Sequence, residues 1–240
     1  MKNWCICCNP LKIIVISVIC ITAIFAQQKP QPTDTLRYKK NPLYDQQIAL
    51  YNIYKPRQAD IVMFGNSLTH GASWSDLLGR SNVAQMGITS DIVRGYLNRT
   101  NFVLRYRPKI VFIMGGVNDI YNWTPVEEIF SVYIRIIEQF KAKNIIPVIQ
   151  STTYSAKNYA KDWGGTPETN AGRNREVDKL NKMLSDYAKK NSIDYIDIIS
   201  QLSRNGYLKD EVTWDGIHFK ADAYKVWARE VEKVLIKYKL

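Results

Sequence analysis

The chain carries only two histidines, His70 and His218, and that scarcity frames any acid–base chemistry it could perform. His218 ends the stretch Trp214-Asp215-Gly216-Ile217-His218, three residues after an aspartate. One loop can present both side chains together, Asp215 accepting from Nδ1–H and Nε2 left facing outward as a base. The group such a base would serve is a hydroxyl. Ser67 follows the apolar run Ile61-Val62-Met63 in the stretch Phe64-Gly65-Asn66-Ser67. A serine at a strand-to-helix turn either caps the helix or holds its hydroxyl clear for attack. Attack needs a base, because the hydroxyl is otherwise protonated at neutral pH. His70 sits three residues beyond Ser67 with no such carboxylate close in sequence, so His218 is the expected base.

Attack on a carbonyl also requires donors for the negative oxygen that forms. The N–H of Ser67, the N–H of Gly87 and the side-chain amide of Asn118 come from three separate loops and can converge on one crevice. Each has a plainer use as well: Gly87 can serve a turn and Asn118 can cap the segment after it. Other chemistries fail on residues. Thr69 replaces the second glycine of G-x-S-x-G, and no dinucleotide or Walker phosphate loop occurs. With two histidines and no H-E-x-x-H, neither a metal site nor a cofactor is expected. Glu127 and Glu128 could form a glycosidase pair, but Thr124-Pro125-Val126-Glu127 reads as a capping box with proline at the first helical position.

These residues need a scaffold, and the hydrophobic pattern supplies one. Short apolar runs at 60–64, 82–85, 109–114, 145–150 and 193–196 read as buried strands. Helical stripes lie between them: Ile129, Tyr133, Ile136, Ile137 and Phe140; then Val177, Leu180, Leu184 and Tyr187; finally Tyr224, Trp227, Val231, Val234, Leu235 and Tyr238. Strands alternating with helices imply an α/β fold whose parallel sheet is covered on both faces. Ligands then bind at the carboxyl ends of the strands, where Ser67, Gly87 and Asn118 fall.

The N-terminus reads differently. Lys2 and Lys12 precede the apolar stretch 13–25, the outline of a signal peptide over residues 1–26. Thirteen helical residues span roughly 20 Å, short of the ~30 Å hydrocarbon core. Export to periplasm or medium is expected, with an uncleaved leader or a lipid on Cys20 as the alternative. Cys5, Cys7, Cys8 and Cys20 all lie in this leader, so the mature chain has no thiol chemistry. Residues 27–42 read as a flexible lead-in, and 43–240 as one domain. The net charge of +11 is scattered over helix faces such as Lys189-Lys190 and is read as a solvated basic surface, not a nucleic-acid site.

Four blocks together resemble the SGNH, or GDSL-type, hydrolase family. They are Phe64-Gly65-Asn66-Ser67-Leu68, the glycine block around Gly87, Gly116-Val117-Asn118-Asp119, and Asp215-Gly216-Ile217-His218, in the family's order. The resemblance implies a flavodoxin-like three-layer α/β/α sandwich with a five-stranded parallel sheet, near the platelet-activating-factor acetylhydrolase branch. It implies Ser67 as nucleophile, His218 as base, Asp215 orienting the histidine, and Ser67 N–H, Gly87 N–H and Asn118 as oxyanion donors. The departure is Asn66, where the commonest form has aspartate. The expected activity is hydrolysis of short-chain acyl esters, acetyl above all, on a small molecule or glycan. Loop aromatics Tyr121, Trp123, Tyr154, Tyr159 and Trp163 are the candidate sugar platform. A lysophospholipid esterase on the same triad and a non-catalytic carbohydrate-binding protein are the alternatives, and membrane contact is expected only through the leader.

Overall fold

In the computed structural model, Met1 and residues 37–240 are described; the leader, Cys20 and the first part of the lead-in lie outside these. The five apolar runs form strands β1 (Ile61–Gly65), β2 (Val83–Gly87), β3 (Ile110–Met114), β4 (Ile146–Gln150) and β5 (Asp194–Ile196). They pair in parallel in the order β2-β1-β3-β4-β5. Gly65 stands opposite both Gly87 and Met114, so the ends of the first three strands are level. The loops bearing Ser67, Gly87 and Asn118 therefore leave the sheet side by side.

Among the described residues ten α-helices accompany the sheet: α1 (Pro42–Ile53), α2 (Ser67–His70), α3 (Trp74–Leu78), α4 (Val93–Asn98), α5 (Thr100–Leu104), α6 (Val117–Tyr121), α7 (Val126–Lys141), α8 (Pro167–Lys190), α9 (Ile199–Leu202) and α10 (Ala221–Lys237). Strand side chains alternate between two cores, as the pleat requires. Val62, Phe64, Val111 and Ile113 pack with α1, α4, α7 and α8. Ile61, Met63, Ile110 and Phe112 pack with α3, α9 and α10. The result is three layers, and the helical stripes read from sequence are the faces that meet the sheet. The cluster of Trp74, Tyr224 and Trp227 closes the second core, Trp74 edge-on to Trp227 at 4.7 Å.

Two local expectations change. Residues 37–41, read as the last part of a flexible lead-in, carry regular structure: Arg37–Lys40 form a 3-10 turn and Asn41 caps α1 through its side chain. Tyr38 is buried edge-on against Tyr44, and the hydroxyls of Tyr44 and Tyr51 donate to Gly95 O and Gly87 O. Tyrosines that bury a ring while satisfying a hydroxyl lack the plain apolar period that marks a helix face. The capping box at residues 124–127 does not form. Pro125 occupies the cap itself, with no side-chain cap bond, and Thr124 N–H is drawn back to Asp119 O at 3.0 Å. Glu127 and Glu128 instead lie in the first turn of α7, where negative charge suits the helix dipole.

Candidate active site

Ser67 is the first residue of α2, a four-residue helix too short to hold itself. Its neighbours hold it. Asn66, fully buried, is the cap, its Oδ1 accepting from Leu68 N–H at 3.0 Å. The last carbonyls, which a short helix leaves unpaired, are each met by a side chain. Leu68 O accepts from Tyr224 Oη (2.8 Å), Thr69 O from Trp74 Nε1 (2.8 Å), and His70 O from Gln85 Nε2 (2.8 Å). The cap role weighed for Ser67 thus belongs to Asn66, an acceptor task that either asparagine or aspartate performs. Ser67 keeps its hydroxyl for His218.

The second half of the site is the turn 213–219, closed by an antiparallel bridge between Thr213 and Phe219. Gly216 has φ +98°, a conformation that favours glycine. That twist brings Ile217 N–H and His218 N–H onto Asp215 Oδ1 at 2.9 and 2.8 Å. Asp215 Oδ2 is then left to accept from His218 Nδ1–H at 2.6 Å, and Nε2 accepts from Ser67 Oγ at 3.1 Å. Burial pushes the Asp215 carboxyl up, but these hydrogen bonds outweigh it and hold the group below the usual carboxylate range. Trp214 lies nearly parallel to the His218 ring, centroids 5.5 Å apart. His70 is exposed, and its backbone N–H donates to Asn66 O. The arrangement can move a proton from a serine hydroxyl to a carboxylate-oriented imidazole.

Gly87 ends β2 against the start of α2. A Cβ built there would fall 2.4 Å from His70 N and 2.8 Å from Asn66 O, so a close backbone approach, not a turn, requires the glycine. Asn118 Nδ2 donates to Asp91 O at 2.8 Å, one of the two hydrogens the amide carries. Asp91 in turn pairs with Arg99, both side chains fully buried, Nε to Oδ2 at 2.8 Å. Arg99 also donates to Met86 O (2.8 Å) and Gly65 O (2.7 Å), the strand-end carbonyls beside Gly87 and Ser67. Its guanidinium lies 4.5 Å over the Phe64 ring. One buried cation therefore ties together the loops that carry Ser67, Gly87 and Asn118. Desolvation lifts the Asp91 carboxyl to about 6 despite the pull of Arg99.

Residues 63–226, the span from β1 into α10 that contains every one of these side chains, match the GDSL-like Lipase/Acylhydrolase family. The chain belongs to that family. Among solved structures, a GDSL-like lipase from Bacteroides thetaiotaomicron VPI-5482 superposes with a TM-score of 0.68 at 21% identity, covering 81% of this chain and 98% of that one. An acetyl xylan esterase superposes with a TM-score of 0.58 at 17% identity, covering 73% and 98%. An N-acylneuraminate cytidylyltransferase from Streptococcus agalactiae serotype V is 28% identical over 167 residues, 70% of this chain; the chain spans only 36% of that relative's length.

Around the GDSL site the expected aromatics divide. Tyr159 packs against Gly216, where a Cβ would meet its own Cβ at 3.0 Å, and stands edge-on to Tyr121 at 5.2 Å. Trp123 is 59% exposed, at φ 55°, over α8. Trp163 is 87% exposed on the 3-10 turn Lys161–Trp163. Tyr154 is not brought to the triad: its ring packs between the two cores and its hydroxyl donates to Asp178 on α8. The loop that carries Tyr159 is laced to α8 by a ladder of asparagines. Asn181 bonds both backbone groups of Thr152, Asn174 both of Ser155, and Asn170 Nδ2 donates to Lys157 O and Tyr159 O. Ala156 N–H donates to Gly216 O at 2.7 Å, joining that loop to the Asp215–His218 turn.

Sequence reasoning missed Arg99, Asp91, Trp214 and this ladder. Trp214 adjoins Asp215 and was open to inspection. Arg99 and Asp91 carry no local signal, because an arginine reads as surface until its partners are known.

Proposed function

We propose that this GDSL-family chain is an exported serine esterase that removes short acyl groups, acetyl above all, from a carbohydrate or glycoconjugate. The observation that carries the mechanism is the continuous chain Ser67 Oγ, His218 Nε2, His218 Nδ1, Asp215 Oδ2 at 3.1 and 2.6 Å. Ser67 Oγ attacks the ester carbonyl as His218 takes its proton. The carbonyl oxygen becomes negative and is held by Ser67 N–H, Gly87 N–H and the Asn118 amide. Collapse breaks the ester bond, and His218 returns the proton to the departing alcohol. Water then attacks the acyl-serine with His218 again as base, releasing the acid and restoring Ser67. Asp215 and the Trp214 face both favour the imidazolium that forms on the way.

The carbohydrate reading rests on Trp214 against His218, Tyr159 against Gly216 and the rings beyond Tyr159, Tyr121 and Trp123, which pair flat faces with polar edges as sugar platforms do. The names of two similar proteins agree in kind, one an acetyl xylan esterase and one acting on an N-acylneuraminate. Export rests on the leader pattern alone. The test is hydrolysis of aryl esters of rising chain length by the mature chain beside Ser67→Ala. Fastest turnover on the acetyl ester, with Ser67→Ala at least 10³-fold slower, is expected. Equal rates in the two proteins would remove Ser67 as nucleophile, and a preference for long acyl chains would replace the sugar ester by a lipid ester.

A further inference from the structure

Arg173 lies on α8, and its guanidinium sits against two aromatic rings. Its Cζ lies 4.4 Å from the Tyr121 ring centre and 5.1 Å from that of Trp123. Its Nε is shielded from solvent and has no hydrogen-bond partner among the described residues. Arg80, Arg94, Arg99, Arg204 and Arg229 each face a carboxylate, and Arg105, also set over a ring, spends its N–H groups on Tyr51 O and Tyr54 O. Among the described residues Arg173 makes no ion pair with a carboxylate. A buried donor without a partner calls for an explanation, and a cation held on aromatic faces without a counterion is ready to accept one.

Its place relative to the reacting atoms follows from shared neighbours. Tyr121 lies one helical turn beyond Asn118 on α6, and its ring meets Tyr159. Tyr159 packs on Gly216, between Asp215 and His218. Tyr159 also feels both charges: burial raises its hydroxyl, Asp215 adds to the rise and Arg173 opposes it. The Trp123 ring also lies over α8, 3.8 Å from where a Cβ on Gly172 would stand. On either side of Arg173, Asn174 bonds the Ser155 backbone, while Asn170 donates to Tyr159 O and accepts from Tyr121 Oη at 3.3 Å, fixing α8 against the loop and against the Tyr121 ring.

Resting on the esterase reading above, the geometry points to Arg173 as an anion subsite for the alcohol portion of the substrate, which makes the substrate class an acyl ester of a carboxylate-bearing sugar. A guanidinium seated against aromatic rings meets a planar carboxylate through two parallel N–H···O bonds. A phosphate dianion would call for further cations at the same spot. Holding the carboxylate fixes the sugar over Tyr121 and Tyr159 and delivers a neighbouring acyl ester to Ser67.

The test is a ratio of kcat/KM for the O-acetyl ester of a hexuronic acid over that of the same sugar as its neutral methyl uronate. A sugar phosphate acetate forms a third arm, and an aryl acetate reports the triad. Wild type is expected to favour the free acid, and Arg173→Met to reduce the ratio roughly 10- to 100-fold, the usual range for one charge-assisted contact. Arg173→Lys, which keeps the charge and loses the planar fork, should recover only part of it. Urea midpoints of the variants verify that they fold. An unchanged ratio in a folded Arg173→Met, or a wild type indifferent to the carboxylate while still cleaving the aryl acetate through Ser67, overturns the subsite and leaves the esterase reading standing. A stronger preference for the phosphate arm overturns the carboxylate. No cleavage of the aryl acetate by wild type overturns the esterase reading and the subsite with it.

Discussion

Replacing Arg99 by methionine tests the buried cation that joins the loops of the GDSL site. Methionine preserves much of the volume but removes three bonds of 2.7 to 2.8 Å and leaves the fully buried Asp91 without its counterion. Breaking a buried pair from one side costs about 3–5 kcal/mol, a large fraction of the roughly 5–15 kcal/mol that holds a domain together. With about 2–4 °C per kcal/mol for a chain of this size, the melting temperature should fall by roughly 6–20 °C. The double variant Arg99→Met/Asp91→Asn should recover roughly 1–3 kcal/mol, because no charge is then stranded. Thermal melts followed by circular dichroism give the first quantity and urea midpoints at constant slope the second. Aryl acetate turnover should fall in kcat more than it rises in KM, since Gly65 O and Met86 O lose the donor that sets the strand ends beside Ser67 and Gly87. A single variant that melts within about 2 °C of wild type, or a double variant no more stable than the single, would mean that the Arg99–Asp91 pair does not hold these loops.

Three other changes probe separate parts of the site. Gly87→Ala places a methyl group 2.4 Å from His70 N, a backbone atom, so β2 and α2 must part; kcat should drop about 10²-fold in steady-state assays, the scale of one lost oxyanion donor. Asp215→Asn removes the acceptor that fixes the His218 tautomer, and a kcat loss of about 10²–10⁴-fold is expected, with the fold intact by circular dichroism. Asp119 is buried with Val93 N–H against its carboxylate oxygens, and desolvation raises its carboxyl to about 8. Its folded value lies above the unfolded one, so the stability it contributes is fully present below about pH 4 and is lost as pH rises through about 8. Urea midpoints of Asp119→Asn between pH 5 and 8 should therefore decline less than those of wild type.

Much of the scaffold was legible because burial on both faces leaves a simple mark. Runs such as Ile110 to Met114 are apolar throughout, as a short strand covered on both faces requires. The stripe on α7 was equally plain, since every third or fourth residue meets the sheet. Helix α1 escaped because its buried face is made of Tyr44 and Tyr51, whose hydroxyls seek carbonyls far along the chain. The start of α7 was misread for a related reason: Thr124 has the right side chain for a cap, but its N–H is engaged by the end of α6.

Residue type and short spacing set the chemistry on offer: one serine after a strand, one Asp-Gly-Ile-His turn, a glycine and an asparagine at neighbouring strand ends. Those are local facts, set by residue type, short spacing and the period of a buried strand. Tertiary structure alone decided which polar groups share a partner. That Arg99 binds Asp91 and two strand-end carbonyls, that α8 laces the Tyr159 loop with asparagines, and that Arg173 lies against two aromatic rings all depend on contacts between distant segments. A polar side chain looks the same in sequence whether it meets water, a backbone carbonyl or a substrate, and only packing chooses among them.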